Sequence, residues 1–327
     1  MIYIESKSRD PHFNLALEEY VFEKFDKTQE YFMLWQNSNT IVIGKYQNAY
    51  EEINRDFVEE KNITVARRLT GGGAVYHDDG NLNFTYIVNQ KNSGNLDFKS
   101  FLEPVINAIK NIGAEAEFTG RNDLVINGRK ISGSSQFAKK GRILNHGCIM
   151  LDSNLENVSG ALKPKPAKFK SKNTRSVRSR VTTINDNLKR QISMEEFKTV
   201  IMNEIRKNDQ IHEYELTEKD KKNIEHIRNE KYATWEWVYG KAKKYEYRYE
   251  CKYDFGIVSV DMDVDQGIII DIKVHGDFFG NRDIKELEEA LIGERLDNKL
   301  DKRLEDKIRL DDYISGMTPR ALKLMLM

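Results

Sequence analysis

The chain has 327 residues, 39% hydrophobic and 32% charged, which suits a soluble globular protein long enough for two cores. Lys plus Arg equals Asp plus Glu at 52 each, so net charge makes no case for nucleic-acid or membrane partners, and electrostatic arguments must be local. No secretory leader or bilayer-length apolar run is visible, and Cys148 and Cys251 form no CxxC spacing; the expectation is a reducing cytoplasm without disulfides or structural zinc.

Asp10-Pro11 reads as a helix cap followed by proline at the first helical position, and Phe13, Leu17, Tyr20, Val21 and Phe25 then recur at helical spacing. Strand-like runs follow at 31–35, 40–44, 64–68 and 82–88. Ser100 and Glu103 are spaced for a capping box, opening a helix with Val105, Ile106 and Ile109 inward. Further strands are expected at 123–127, 130–137 and 143–151. Residues 163–180 carry Lys and Arg without an acidic residue, and Pro164 and Pro166 exclude a regular element at its start. Ser193 with Glu196 caps a helix bearing Phe197, Val200, Ile201 and Ile205, and Thr217 opens a charged helix running toward Trp235-Glu236-Trp237. Period-2 alternation through Tyr247–Phe255, Val258–Val264 and, after an Asp265-Gln266-Gly267 turn, Ile268, Ile270, Ile272 and Val274 predicts a small sheet. Charged helical sequence follows it.

Three segments carry chemistry. In Arg67–Asp78, Gly71, Gly72 and Gly73 have no side chains to pack; they let a ligand approach the main chain, and the flanking arginines suggest an anionic one. The segment matches neither GxxxxGK[ST] nor GxGxxG. In the second, Asn127-Gly128 is a hairpin turn signal between paired strands, placing Lys130, Ser132 and Ser134 on one polar face. The third is the basic stretch ending at Ser176–Val181, readable as a polyphosphate clamp or as a solvated loop. A nucleic-acid patch is disfavoured, because only Phe169 there offers a ring for stacking.

Together these segments resemble the lipoate–protein ligase A family of the biotin and lipoyl ligase superfamily. Arg67–Asp78 meets the pattern RRxxGGGxV(F/Y)HD at every specified position, and Lys130–Ser135 meets a KxxGxS-type element. His146–Leu151 resembles an HxxxLL strand in altered form, and Ser176–Val181 is similar to the family's SVRSRV run. The resemblance implies an α+β fold: a large mixed-sheet catalytic domain over 1–244, with an adenylate loop at about 163–181, and a small α+β accessory domain over 245–327. It implies that lipoate and ATP give lipoyl-AMP, and that the acyl group then passes to a lysine of an apo lipoyl domain, of a 2-oxoacid dehydrogenase complex or a glycine-cleavage carrier.

By the same resemblance, Lys130 is the catalytic cation between carboxylate and α-phosphate. Arg68, Gly73, Ala74, Val75, Tyr76, Asn122, Asp123, Ser176 and Arg178 join it in binding ATP and the adenylate. Thr70, Gly71, Gly72, His77 and Asn81 join it in binding lipoate. Mg²⁺ is expected on the phosphates, with Asp123 the one candidate protein contact. Within the superfamily the rival is an ATP-independent acyltransferase using Cys148 as a thioester nucleophile, although Gly147–Leu151 also reads as a buried strand in which cysteine is a small hydrophobe. A biotin ligase fits the double arginine less well. From another class, a non-catalytic lipoate- or nucleotide-binding protein would use the same pocket without turnover.

Overall fold

The computed structural model describes residues 1–89, 98–120, 122–162, 180–239 and 247–326. Its first helix, Pro11–Lys24, begins as the sequence implies: the Asp10 carboxylate accepts from the His12 amide, and proline fills a position that needs no donor. The helix is buried more widely than the expected stripe. Leu15, Leu17, Tyr20, Val21 and Phe22 are buried together with the polar Asn14 and Glu18, whereas Phe13 and Phe25 are only partly covered.

The strands, in chain order, are β1 (Ile2–Glu5), β2 (Tyr31–Trp35), β3 (Thr40–Ile43), β4 (Thr64–Arg67), β5 (Val75–His77) and β6 (Asn81–Asn89). After the helix Lys99–Asn111 come β7 (Ala116–Thr119), β8 (Asp123–Ile126), β9 (Arg129–Lys139) and β10 (Arg142–Met150). The short β11 (His212–Glu213) follows the helix Met194–Asn208, and β12 (Tyr247–Tyr253), β13 (Gly256–Asp265) and β14 (Ile268–Gly276) lie near the end.

Eight strands form a mixed sheet in the order β11-β1-β2-β6-β10-β9-β8-β7, parallel only where β1 meets β2 and β11. Alternation along β2 sends Phe32 and Leu34 to one face and Tyr31, Met33 and Trp35 to the other. The first face packs on Lys99–Asn111 and Met194–Asn208. The second is covered by Pro11–Lys24, by Glu218–Ile227 and by the small sheet β4-β3-β5.

Two helix starts follow the expected caps: the Ser193 hydroxyl accepts from the Glu196 amide, and Thr217 forms a capping box with Asp220. The Ser100–Glu103 box does not form. That helix starts a residue earlier, at Lys99, with no side chain capping it, because Phe98 at the cap position is drawn into the core against Phe279. Ile270 is also not where alternation placed it. The pairing of β13 with β14 shifts register at Asp263/Val264, so Ile269 turns inward and Ile270 is 55% exposed.

The antiparallel sheet β12-β13-β14 builds a second core with Leu287, Leu291, Leu300, Leu304, Leu322 and Leu326 from the C-terminal helices. One loop of this unit, 276–280, reaches the first unit. The Gly276 amide donates to the Tyr46 carbonyl at 2.8 Å, Phe278 stacks on Tyr46 at 5.0 Å between ring centroids, and Phe279 is buried in the first unit's core.

Candidate active site

Register across the large sheet puts Trp35, Asn83, Cys148, Gly133 and Asp123 in one row, each the direct partner of the next. All five line a cavity of about 250 Å³. A second row on the same face runs Met33, Thr85, His146, Ser135. The roof is Val42, Arg68 and Gly72–Val75, and Asp277 and Phe279 of the C-terminal unit close one side.

Lys130 reaches this floor through a bulge. Asn127 and Gly128 adopt the left-handed backbone of the expected hairpin turn, at φ 51° and 70°. Pairing then shifts so that Lys130 faces Val125 while Ser132 faces Leu124, leaving Ile131 as the extra residue. The expected face of Lys130, Ser132 and Ser134 is therefore corrected. Lys130 lines the cavity with Gly133, Ser134 and Ser135, and Ser132 is not part of the lining. A Cβ on Gly133 would sit 2.9 Å from the Lys130 Nζ, so glycine leaves the ammonium room to lie over the strand. The Nζ is 2.8 Å from the Asp123 Oδ1, with the two side chains 37% and 34% exposed. Beyond the basic stretch, the chain returns directly to this lysine: Val181 bridges to Lys130, and the Thr182 amide donates to its carbonyl.

Neither arginine before the glycines is a free anion receptor. The Arg67 guanidinium donates to the carbonyls of Gly44, Lys45, Gln47, Trp237 and Val238. Arg68 donates from Nε to the Thr70 hydroxyl, from Nη1 to the Val42 carbonyl, and from Nη2 to the carbonyls of Gly71 and Gly73. Of its five N–H groups, one on Nη1 meets no acceptor among the described residues. Arg68 holds the side-chain-free loop in shape, and Arg67 joins the Gly44–Gln47 segment to Trp237–Val238.

Beneath the roof lies a polar chain. The Trp35 Nε1 donates to the Thr85 hydroxyl, and that hydroxyl donates to the Glu18 carboxylate at 2.5 Å. Glu18 also accepts from His146 Nδ1 at 2.9 Å. The other ring nitrogen of His146 meets the Thr70 hydroxyl at 2.9 Å, and Thr70 lies 2.6 Å from the Ser135 hydroxyl. Arg68 thus shares Thr70 with a buried histidine–carboxylate pair. Sequence reading missed Glu18, Trp35, Thr85 and Ser135. The available signal was a pair of polar residues, Asn14 and Glu18, four apart and flanking the apolar run Leu15-Ala16-Leu17.

Of the residues assigned to ligands by resemblance, Arg68, Gly72, Gly73, Ala74, Val75, His77, Asn122, Asp123 and Lys130 line the cavity. Thr70, Gly71, Tyr76 and Asn81 are close by but do not. Thr70 is spent on Arg68, His146 and Ser135. Gly71 faces the Phe278 carbonyl, which a Cβ there would meet at 2.3 Å. Tyr76 turns its ring into the cluster of Ile41, Ile43 and Val65 and donates its hydroxyl to Asn39. Asn81 supports Asn83 from behind, donating from Nδ2 to the Asn83 Oδ1 at 3.1 Å. The Asn122 amide is committed to the Ser134 carbonyl. Ser176 and Arg178 lie outside the described residues.

Burial pushes the Cys148 thiol up, against the opposing pull of Lys130 and Arg68, so it is not a poised thiolate. Burial, then the Arg68 charge, pulls His77 down to about 3 and keeps it neutral. Among the described residues no three His, Cys, Asp or Glu side chains gather to hold a metal ion, and no helix is long and apolar enough to cross a membrane.

Comparison with known proteins places this geometry. Residues 10–206 match the model for the lipoyl protein ligase A/B catalytic domain, and residues 242–326 match that for the bacterial lipoate protein ligase C-terminus. The chain is 43% identical over 322 residues to the lipoate-protein ligase LplJ of Bacillus subtilis, covering 97% of each chain. It is similar in fold to P. falciparum LipL1, crystallised in complex with lipoate, at a TM-score of 0.78 with 24% identity, covering 94% of each chain. A crystal structure of lipoate-protein ligase A bound with ATP matches at a TM-score of 0.62 and 26% identity, covering 73% of this chain and 98% of that one.

Proposed function

The chain belongs to the lipoate–protein ligase family, and from that premise we propose that it activates lipoate with ATP to lipoyl-AMP and passes the lipoyl group to a lysine of an apo lipoyl domain. The observation that carries the reading is the Lys130 ammonium at one end of a floor row that continues, past Cys148, to Asn83 and Trp35.

In the first step a carboxylate oxygen attacks the α-phosphorus and pyrophosphate leaves. Two unit charges ~4 Å apart repel by about 4 kcal/mol at an effective dielectric near 20. An ammonium between them removes much of that barrier, and Lys130 is the cation at hand. Its contact with Asp123 holds the ammonium over Gly133 until a ligand replaces the carboxylate. In the second step an acceptor amine attacks the acyl carbon, AMP leaves, and the amine gives up a proton.

The acyl chain lies along the floor row. Burying its four methylenes contributes about 3 kcal/mol at roughly 0.8 kcal/mol each. Gly73–Val75 and the remaining Arg68 N–H face the nucleotide side, with Asn122 and Asp123 beside Lys130. Ser176 and Arg178 are assigned to the phosphates by family resemblance, supported by the return of Val181 to Lys130. Mg²⁺, which neutralises phosphate charge when bound, would have Asp123 as its nearest carboxylate, other contacts coming from phosphate oxygens.

We read 1–244 as the catalytic domain and 245–327 as the accessory domain. Movement of the accessory domain between steps would open a wall made by Asp277 and Phe279, admitting the acceptor lysine only after the water-sensitive adenylate has formed. A cytoplasmic setting is supported by two free cysteines in the described fold. The test is purified chain with ATP, Mg²⁺, lipoate and an apo lipoyl domain, followed by intact mass. One ATP-dependent lipoyl addition to the acceptor is expected; an acceptor unmodified at all enzyme concentrations overturns the reading.

A further inference from the structure

Two cavity-lining residues carry buried N–H donors that meet no acceptor among the described residues. His77 is 3% exposed and Asn83 1%, and the His77 Nε2 and the Asn83 Nδ2 are both without a partner. Leaving such donors unpaired is expensive, and in native proteins the great majority find an acceptor. Both residues neighbour Trp35: Asn83 is its register partner, and the His77 ring stands edge-on to the indole at 6.4 Å.

The orientation of the His77 ring is imposed from behind. The Ser6 hydroxyl donates to the Asn14 Oδ1 at 2.6 Å, Asn14 Nδ2 donates to the Asn37 Oδ1 at 3.0 Å, and Asn37 Nδ2 donates to His77 Nδ1 at 3.1 Å. Nδ1 is thereby an acceptor, so the ring proton sits on Nε2. Burial holds the ring neutral, so the group is an uncharged donor. In Asn83 the Oδ1 accepts from Asn81, and the Nδ2 hydrogens are left over. Trp35 offers no donor here, since its Nε1 is spent on Thr85.

Distance says what part of a ligand reaches them. Gly133, over which Lys130 lies, pairs with Cys148, and Cys148 pairs with Asn83. Two inter-strand steps amount to roughly 9–10 Å. With its carboxylate at Lys130, lipoate carries its ring on an extended pentanoyl chain over about that span.

We propose that the His77 Nε2–H and Asn83 Nδ2–H form a subsite that reads the dithiolane sulfurs, selecting lipoate over acyl chains of equal shape that lack sulfur. This rests on the lipoate-activating reading and names the part of that site that sets acyl specificity. Sulfur is a weak acceptor, and neutral donors suit it, since no ion has to be desolvated against it. A sulfur-free chain leaves both donors unpaired and forfeits binding on that account.

The experiment uses lipoate, 5-cyclopentylpentanoate (the same ring size and chain with carbon in place of sulfur) and octanoate, measuring acid-dependent pyrophosphate release. The full-length wild type is expected to favour lipoate over the carbocyclic acid by about tenfold in kcat/KM, and Asn83→Leu to bring that ratio within about threefold of unity. A measurement independent of any variant is the nitrogen resonance of the His77 Nε2–H, expected to move with lipoate and not with the carbocyclic acid. Equal use of the two ring acids by an active wild type, or a His77 resonance indifferent to lipoate, overturns the sulfur subsite alone. No pyrophosphate release with any acid overturns the ligase reading and takes the subsite with it.

Discussion

Lys130 and Asp123 make a contact at 2.8 Å in a part-exposed setting, where an ion pair contributes little to stability. Lys130→Ala is therefore expected to unfold at an unchanged urea midpoint while lipoyl-AMP formation is lost. A normal adenylate yield from the folded variant would remove Lys130 from its assigned role. His77 has the opposite profile, unimportant as a charge and sensitive to acid. Its pKa is about 3 when folded and near 6.5 unfolded. Between those values the unfolded chain binds more protons, so stability rises with pH, is fully present above about 6.5, and is lost as pH falls toward 3. The contribution is at most about 1.4 kcal/mol per pH unit. The urea midpoint of His77→Phe should change less between about pH 7 and about pH 5 than that of the wild type; an equal change in both would exclude His77 as a source of acid sensitivity.

At the scale of elements, the three glycines are not equivalent. Gly71 abuts the Phe278 carbonyl of the C-terminal loop, and Gly72, at φ 88°, donates its amide to that same carbonyl at 3.1 Å. A Cβ on Gly73 would meet nothing within 4 Å among the described residues. Gly71→Ala should therefore lower unfolding free energy by about 1–3 kcal/mol and loosen the 276–280 loop to proteolysis, while Gly73→Ala stays within about 0.5 kcal/mol. Equal effects from both would mean that the contact with Phe278 does not organise the loop. The same segment shows what the arginines do in the fold besides any contact with a ligand. Arg68 ties down the glycine loop through the carbonyls of Gly71 and Gly73, and Arg67 ties the segments at Gly44–Gln47 and Trp237–Val238 together, which no residue pattern distinguishes from anion binding.

Across the whole molecule, Phe279 belongs by sequence to the C-terminal unit and by packing to the first. It is buried against Phe98 at 5.5 Å and lines the cavity. Phe279→Ala is expected to destabilise by about 3 kcal/mol and, as the water barrier thins, to release more lipoyl-AMP to hydrolysis per lipoyl group transferred. The check is free AMP against modified acceptor in the same reaction. An unchanged ratio would mean that this side chain joins the units without sealing the site.

Local chemistry was enough for much of this protein. Asp10-Pro11, Ser193, Thr217 and Asn127-Gly128 act through atoms within a few residues, and their helices and turn start where the residues imply. The strands β12 to β14 were legible from period-2 alternation, and β2 and β3 from short apolar runs buried along their length. The segments Arg67–Asp78 and Lys130–Ser135 were legible as site segments because side-chain-free loops and a lysine among small residues have little structural purpose of their own. What tertiary structure decided depends on partners distant in the chain. The bulge at Ile131 is set by the facing strand β8, and the burial of Ile269 by register with β13. Glu18 meets His146 across 128 positions, and Phe279 meets Phe98 only after two units dock. Such contacts leave no periodic trace, because their energy lies in a complementarity that neither segment carries alone.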